Sequence, residues 1–332
     1  MQPPTSSDAG RPAQEPLATG PRVSIVITYY RQGSLVRDAI ASALGQDYPN
    51  VEVVVVDDGS PPGEEAAPIV ADYPGARLVR KPNGGVSSAR NVGWRASGGE
   101  YVVFLDGDDT LLPHAVSTGV RVLGEHPECG FVHGVSERRA LDGRLLEVRE
   151  PLVGAFDHFE ALLRRNFVRG LHAVMLRRTA VEAVGGYDER QPFANDWEFF
   201  LRVARRFPGF GHGEVIATYR RHAGNVNSNR NAARMLAASL LALDKQRAAV
   251  GSDPRLRAAM AEGRQWVRDL FGRRLLERMV AELRAREWGA ASASARVLVR
   301  YDPARLLGHG PAAVARRLGV LGPRPSERRA GS

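Results

Sequence analysis

This 332-residue chain has almost nothing with which to crosslink itself: it holds one cysteine, Cys129. A lone thiol excludes an internal disulfide and a thiolate metal cluster, and it points to a reducing compartment. Long apolar runs are also missing, since no stretch approaches the roughly 18 residues of a membrane span. The opening segment, MQPPTSSDAGRPAQEPLATGP, lacks a basic-then-apolar start, which argues against a secretory signal. Being rich in Pro, Gly and Ser, residues 1–21 are expected to be disordered. These absences lead to a cytoplasmic protein, with peripheral attachment at the inner face of the membrane as the variant of that reading.

What is present is the composition of a soluble globular protein, 43% hydrophobic and 25% charged. The net charge of +9 is unevenly placed. From Asn231 onward 20 basic residues face 9 acidic ones, a balance of +11 that leaves the first 230 residues at −2. The overall basicity is therefore no sign of a nucleic-acid surface, and the C-terminal arginines are not interleaved with aromatic stacking residues.

Up to residue 230 strand and helix patterns alternate. VSIVITYY, VEVVVVDDGS, ARLVRK and EYVVFLDGDD read as strands, separated by the amphipathic LVRDAIASALGQ, a helical stretch to about Asp72, and the loop-then-helix GGVSSARNVGWRAS. This alternation predicts a doubly wound, mostly parallel α/β sheet, whose ligands bind beyond the carboxyl ends of the strands. Thr28, Asp57, Asp58 and Asp106 to Asp109 all fall on that rim. CGFVHGVSERR, LHAVMLRR and GEVIATYRRH read as later strands. NDWEFFLRVARRF reads as an amphipathic helix with Trp197, Phe200, Leu201 and Ala204 on one side. From Asn231 the composition turns to Ala, Leu and Arg, and strand signals fade. The expected division is a disordered 1–21, an α/β domain over 22–230 and a basic helical region over 231–332.

Three carboxylates within four positions, Asp106, Asp108 and Asp109, end a buried strand. Such a cluster is either a solvated acidic turn or the seat of a hard divalent cation, Mg²⁺ or Mn²⁺, bound through oxygen. Gly107 permits the sharp turn and close approach that the second reading needs. A metal-held diphosphate is then the natural leaving group.

The motifs VSIVITYYRQG, VVVVDDGS, GGVSSARNVGWRASGGEYVVFLDGDD, GGYDE, NDWEFFLRV and YRRH follow one another in this order. The ordered set resembles the inverting nucleotide-sugar glycosyltransferases of family 2, which have a GT-A fold, over about Val23 to Asn225. The resemblance implies a nucleoside-diphosphate-sugar donor, UDP- or dTDP-type, and a carbohydrate or lipid-linked acceptor, in polysaccharide, glycolipid or other glycoconjugate synthesis. It places Thr28, Tyr30, Asp58, Arg90 and Asp106 at the nucleotide sugar, and Asp108, Asp106 and His222 at the metal. Asp196 becomes the catalytic base, and Gly185, Gly186 and Trp197 lie on the acceptor side. For Arg90, ion pairing within the protein is the competing role; for Asp57, bracing its loop; for Asp109, capping the turn. The sequence departs from the family at Arg31, where Asn is frequent, and at Asn195, where the base usually follows Glu. Asn195 can act as the helix cap while Asp196 serves chemistry. His133 and His172 have no partner that the sequence names, and RRHAGNVNSN reads as a lid. Two other classes remain open: a nucleotidyltransferase that makes the sugar nucleotide, and a non-catalytic nucleotide-sugar-binding protein. The first lacks the Gly-rich basic loop expected after its first strand, and the intact acidic residues argue against the second.

The basic tail admits a solvated face on packed helices, contact with anionic lipid, or self-association through the stripe Val267, Leu270, Phe271, Leu275, Met279 and Leu283.

Overall fold

Alternate residues of each central strand face opposite sides of a sheet, and here both sides are covered. Ile25, Ile27, Val53, Val55, Val103 and Leu105 face one apolar core, and Val26, Val54, Val56, Val102 and Phe104 the other. Burial on both faces accounts for the continuous apolar runs in the sequence.

The computed structural model describes residues 20–148, 150–168, 170–222 and 231–308. The expected disorder of the N-terminal segment and the lid thereby lie largely outside the described residues. In chain order come β1 (Val23–Tyr29), α1 (Leu35–Leu44), β2 (Val51–Asp57), α2 (Ala67–Val70), β3 (Ala76–Arg80), α3 (Val86–Ala96), β4 (Tyr101–Asp106), β5 (Thr110–Leu111) and α4 (Ala115–Glu125). Next are β6 (Phe131–Ala140), β7 (Leu145–Glu147), α5 (His158–Arg164), β8 (Val174–Arg177), α6 (Arg178–Ala183), α7 (Asn195–Ala204) and β9 (Gly209–Arg221). The chain continues through α8 (Ala232–Asp244), α9 (Arg247–Val250), α10 (Pro254–Val267), α11 (Arg273–Arg284), α12 (Trp288–Tyr301) and α13 (Pro303–Gly308).

The strands form one curled sheet in the order β3-β2-β1-β4-β8-β6-β9-β5, with β7 added to β6. β3, β2, β1 and β4 are parallel, as the alternating pattern requires. β8 runs antiparallel to β4 and β6, while β9 is parallel to β6 and returns to pair with β5. The acidic turn after β4 is thus caught between β1 and the far end of β9. Two local expectations change. The helix before Asp72 shrinks to the four residues of α2, and Leu171–Ala173 form a 3₁₀ turn, so β8 starts only at Val174.

The C-terminal helices pack on the α5–α7 side of the sheet. Leu236, Leu240, Val267, Phe271, Leu275 and Met279 share one core with Trp197, Phe200 and Leu201. The stripe from Val267 to Leu283 is therefore used inside the chain. Self-association through it is corrected: Val267, Phe271, Leu275 and Met279 are buried, and Leu270 and Leu283 pack at the edge of the same core. Among the described residues no helix is long and apolar enough to cross a membrane.

The closest approach is at Gly263 of α10, where an added Cβ would overlap the Leu163 carbonyl oxygen of α5. Gly263→Ala should therefore cost about 1–3 kcal/mol, read as a lower urea midpoint at unchanged slope. Gly289→Ala in α12, with nothing within 4 Å of its added Cβ, should leave the midpoint unchanged or raise it. Equal midpoints for the two variants would contradict this packing.

Candidate active site

Parallel pairing of β1 with β4 sets Thr28 beside Asp106. The Thr28 hydroxyl donates to Asp106 Oδ1 at 3.1 Å, and Gly107 N–H donates to Thr28 O at 3.0 Å. A side chain at Gly107 would meet Gln32 Oε1 at 2.5 Å and Thr28 O at 2.8 Å, so the turn has room only for glycine. Asp109, two residues on, is buried. Its backbone N–H donates to Asp106 O at 3.0 Å, and its Oδ1 accepts Arg220 N–H from β9 at 2.9 Å. Its Oδ2 lies 3.1 Å from Nδ1 of the buried His172. Arg220 closes the other side, donating from Nε to Asp108 O at 2.5 Å and from Nη2 to Leu35 O at 2.7 Å. The turn is pinned from both strands that flank it.

Pinning crowds the acids. Donor atoms of Asp106, Asp108 and Asp109 all lie within 4.8 Å of one another. Burial, with Asp109 and Asp106 close by, pushes the Asp108 carboxyl up to about 6, against the opposing pull of His222. Asp106 goes the other way: burial would raise it, but the Arg90 guanidinium, helped by His172 and Thr28, holds it below the usual carboxylate range. His172 is raised: burial disfavours its charge, and Asp109, Asp106 and Asp108 outweigh that.

His222 follows β9, and its Nε2 sits 2.9 Å from Asp108 Oδ2. An octahedral ion with donors at roughly 2.1 Å keeps neighbouring donors about 3 Å apart. The Asp108–His222 spacing fits two ligands of one cation, and Asp106, partly exposed, lies within reach. Asp109 does not fit as well, because both its oxygens already face Arg220 and His172. It braces the turn, as its position suggested.

Arg90 of α3 connects this turn to the next element. Its side chain is 4% exposed. Nη2 donates to Asp106 Oδ1 at 2.8 Å, Nη1 donates to Asn195 Oδ1 at 2.9 Å, and the guanidinium lies 5.1 Å from the centre of the Tyr187 ring. Of the roles open to Arg90, the geometry displays the ion pair. Asn195 is the first residue of α7, and the capping position belongs to Ala194, in the left-handed region at φ 50°. Asn195 as the cap is therefore corrected: its amide oxygen holds Arg90. Asp196 is partly exposed, with Oδ1 accepting from Trp197 N at 2.7 Å. Burial raises its carboxyl above the usual range, and Arg90 only partly opposes this.

The loop Gly185–Glu189 is fastened from behind. Gly185 and Gly186 have φ of 74° and 75°. Asn91 Oδ1 accepts from Tyr187 N at 2.8 Å, while its Nδ2 donates to Tyr187 O and Glu189 Oε1, each at 2.9 Å. The Tyr187 ring stacks on Phe199 with centres 4.2 Å apart. Lys245 of α8 donates to Asp188 Oδ2 at 2.9 Å and Gln191 Oε1 at 2.8 Å, which joins the loop to the C-terminal helices.

Across the rim, Asp57 braces its loop by accepting from Ser60 N and Ala66 N. Asp58 Oδ1 accepts from Lys81 Nζ at 2.6 Å and Gly84 N at 3.0 Å, and Oδ2 accepts from Gly85 N at 2.8 Å. Tyr30 is exposed at the strand end, with the Arg31 guanidinium over its ring.

The structure thus gathers Thr28, Arg90, Asp106, Asp108 and His222 in one contact network, with Asp196 next to Asn195. Trp197 does not join them. It was expected on the acceptor side, yet its side chain is 1% exposed, with Nε1 donating to Leu162 O at 2.9 Å and its ring edge-on to Trp266 at 5.8 Å. The amphipathic pattern could not distinguish a site-facing ring from one covered by helices seventy residues later. The partner of His172, and the roles of Asn91, Lys81 and Lys245, carry no signal in the sequence, since each acts through a residue distant along the chain.

A family model for glycosyl transferase family 2 matches residues 24–185. An uncharacterized glycosyltransferase of Rickettsia typhi, RT0329, is 38% identical over 232 residues, covering 64% of this chain and 68% of that protein. The chain spans less of two other rickettsial relatives, 28% and 35% of their lengths. Among solved structures, S. aureus TarS 1-349 in complex with UDP-GlcNAc has a TM-score of 0.60 at 18% identity, over 73% of this chain and 71% of that one. The mannosyltransferase PcManGT from Pyrobaculum calidifontis, in complex with GDP-Man and Mn2+, has a TM-score of 0.57 at 20% identity, over 93% and 90%. Both share the fold of this chain.

Breaking a buried ion pair by removing one partner strands the other charge. Arg90→Leu should cost about 3–5 kcal/mol in urea unfolding at pH 7. Arg90→Lys, which keeps the charge but loses the fork to Asn195, should fall between the two. A loss below about 1 kcal/mol for Arg90→Leu would mean that the pair does not hold the site together.

Proposed function

The chain belongs to glycosyltransferase family 2, and on that premise we propose that it moves a sugar from a nucleoside diphosphate to an acceptor hydroxyl by a single inverting displacement. The observation that carries this reading is the Arg90 bridge. One guanidinium spans from Asp106, at the acidic turn, to Asn195, the residue before Asp196. The acid cluster and the helix start that carries Asp196 are thereby tied to one guanidinium, and in this reading the donor sugar lies between the two carboxylate groups.

Asp196 accepts the proton of the acceptor hydroxyl as that oxygen attacks the anomeric carbon, and the bond from that carbon to the diphosphate oxygen breaks. The hydroxyl oxygen ends bonded to the sugar, the proton on Asp196, and the electron pair on the departing nucleoside diphosphate. No covalent enzyme intermediate is required. Desolvation, which raises Asp196, makes it a stronger base than an exposed aspartate. Asp106, Asp108 and His222 would hold a divalent cation. Such an ion, when bound, neutralises charge on the leaving diphosphate. The crowding that pushes Asp108 up to about 6 is relieved by a cation, and this supports the assignment. So does PcManGT, whose structure contains Mn2+.

The nucleotide lies against the β1 and β2 ends in this reading. Asp58 Oδ2 accepts one bond, from Gly85 N, and a carboxylate oxygen can accept a second. A uracil or thymine imide N–H suits that position, which favours a UDP- or dTDP-type donor. TarS, solved with UDP-GlcNAc, is consistent with it. The acceptor is a carbohydrate or a lipid-linked glycan, approached from the Gly185–Gly186 side, in polysaccharide, glycolipid or related glycoconjugate synthesis.

With a panel of sugar nucleotides and Mn²⁺, the protein should release nucleoside diphosphate from one donor. Asp196→Asn should lower that turnover by about 10²–10⁴-fold while calorimetry finds UDP binding retained. The acid limb of the wild-type rate should lie above the ordinary aspartate pKa of about 3.9, with activity rising as pH climbs and Asp196 loses its proton. Unchanged turnover in Asp196→Asn would remove Asp196 as the base.

A further inference from the structure

The peptide that leads into Asp196 is held in a conformation that its own residues do not favour. Ala194 has φ 50° and ψ 30°, a left-handed backbone in which Cβ crowds the following carbonyl oxygen. Alanine also brings no side-chain acceptor to the first N–H groups of α7. Strain of this kind persists only where neighbouring groups over-determine it. On one side Asn195 is tied to Arg90 through its amide oxygen. On the other stands Gln191, fully buried in the preceding loop.

Gln191 reaches in two directions. Its Nε2 donates to Phe193 O and to Ala238 O of α8, each at 2.9 Å. Its Oε1 accepts at 2.8 Å from Nζ of Lys245, the residue that closes α8. Turning the amide over would aim its N–H groups at the lysine cation, so these partners set its orientation. Lys245 is itself anchored on Asp188 at 2.9 Å. Burial would raise the Asp188 carboxyl, but Lys245 and the Arg190 N–H bring it down to about 2. The anchor therefore stays charged at neutral and mildly acid pH.

We infer that Lys245 and Gln191 are positioning residues for Asp196: through them α8 holds the backbone at Ala194 and so sets where the carboxylate stands. This step rests on the transfer reading above. A clasp that only attached the C-terminal helices would need the bonds from Lys245 to Asp188 and from Gln191 to Ala238. The bond from Gln191 to Phe193 adds nothing to such an attachment, because both of its ends lie in the loop. It does fix the peptide plane between Phe193 and Ala194, about which φ of Ala194 is measured. Behind Asp196, Trp197 shares a core with Leu236, Leu240 and Leu243 of α8. The same helix thus grips the chain on both sides of the proposed base, and the C-terminal helices become part of the catalytic unit.

The test uses the full chain with the sugar nucleotide that the wild type turns over. Lys245→Met should lower kcat by about 10–100-fold, the scale of a catalytic group misplaced by roughly 1 Å. The dissociation constant for UDP should stay within about twofold, because an interaction that acts only in the transition state leaves ground-state binding alone. Lys245→Arg, which keeps the charge and the donors, should recover most of the loss. Ala194→Gly removes the Cβ conflict, so in that background Lys245→Met should cost about threefold or less. If Lys245→Met does not fold, Asp188→Asn with Lys245→Met, which strands no charge, takes its place. A readout without catalysis is hydrogen exchange at Glu198 N, which donates to Ala194 O at 3.0 Å. It should quicken in Lys245→Met while the amides of β1 and β4 keep their protection. Full kcat in the folded variant, an equal loss in the Ala194→Gly background, or parallel falls in kcat and UDP affinity would overturn the inference and leave the transfer reading standing. A wild type that releases nucleoside diphosphate from no donor would instead bring down the transfer reading, and this step with it.

Discussion

A guanidinium buried in a protein interior destabilises the fold unless its charge is paired. Arg90 meets that demand by drawing three otherwise unrelated parts of the chain to one point. Asp106 comes from the end of β4, Asn195 from the start of α7, and the Tyr187 ring from the loop between α6 and α7. Asp106 and Asn195, the residue before Asp196, are thereby held to one rigid planar group. Asn195 matters to this arrangement because it is neutral. It accepts from Arg90 without competing for its charge, so the cation acts on Asp106 and, at longer range, on Asp196.

The second constraint is the return of β9. By pairing with β6 and then with β5, this strand delivers Arg220 to Asp109 and His222 to Asp108. Its main-chain bond to Asp109 and the buried His172 hold the acidic turn in a crowded form that exposed carboxylates would not adopt. On the proposed function, that crowding prepares a seat for a cation. A bound cation would relieve the repulsion among the acids.

Much of this was legible in the sequence, and the reason is local. The β1, β2 and β4 runs are buried on both faces, so their apolar composition is continuous. Their ends are marked by Thr28, Asp58 and Asp106, and parallel strands place those ends on one rim. Asp106, Gly107 and Asp108 could be singled out because the geometry of a turn depends on neighbours in the chain. What stayed hidden depends on partners far away. Trp197 lies on an amphipathic helix whose apolar side is covered by α10, and no pattern within α7 reveals that Trp266 will meet it. Asn195 looked like a cap because polar residues before a helix usually are, yet Arg90, 105 residues earlier, claims its oxygen. The stripe from Val267 to Leu283 is apolar for the same reason an interface would be, and only the fold shows that its partner is the chain itself. His172 carries no signal at all without Asp109 beside it.

On the proposed function, the turn after β4 seats a cation-bound nucleoside diphosphate that faces Asp196 across Arg90. The most direct measurement is a crystal structure of the protein soaked with Mn²⁺ and uridine diphosphate. The account predicts anomalous density for manganese within ligand distance of Asp108 and His222, near Asp106, with diphosphate oxygens completing its shell. Manganese bound elsewhere, or a diphosphate lodged away from the ends of β1 and β4, would contradict it.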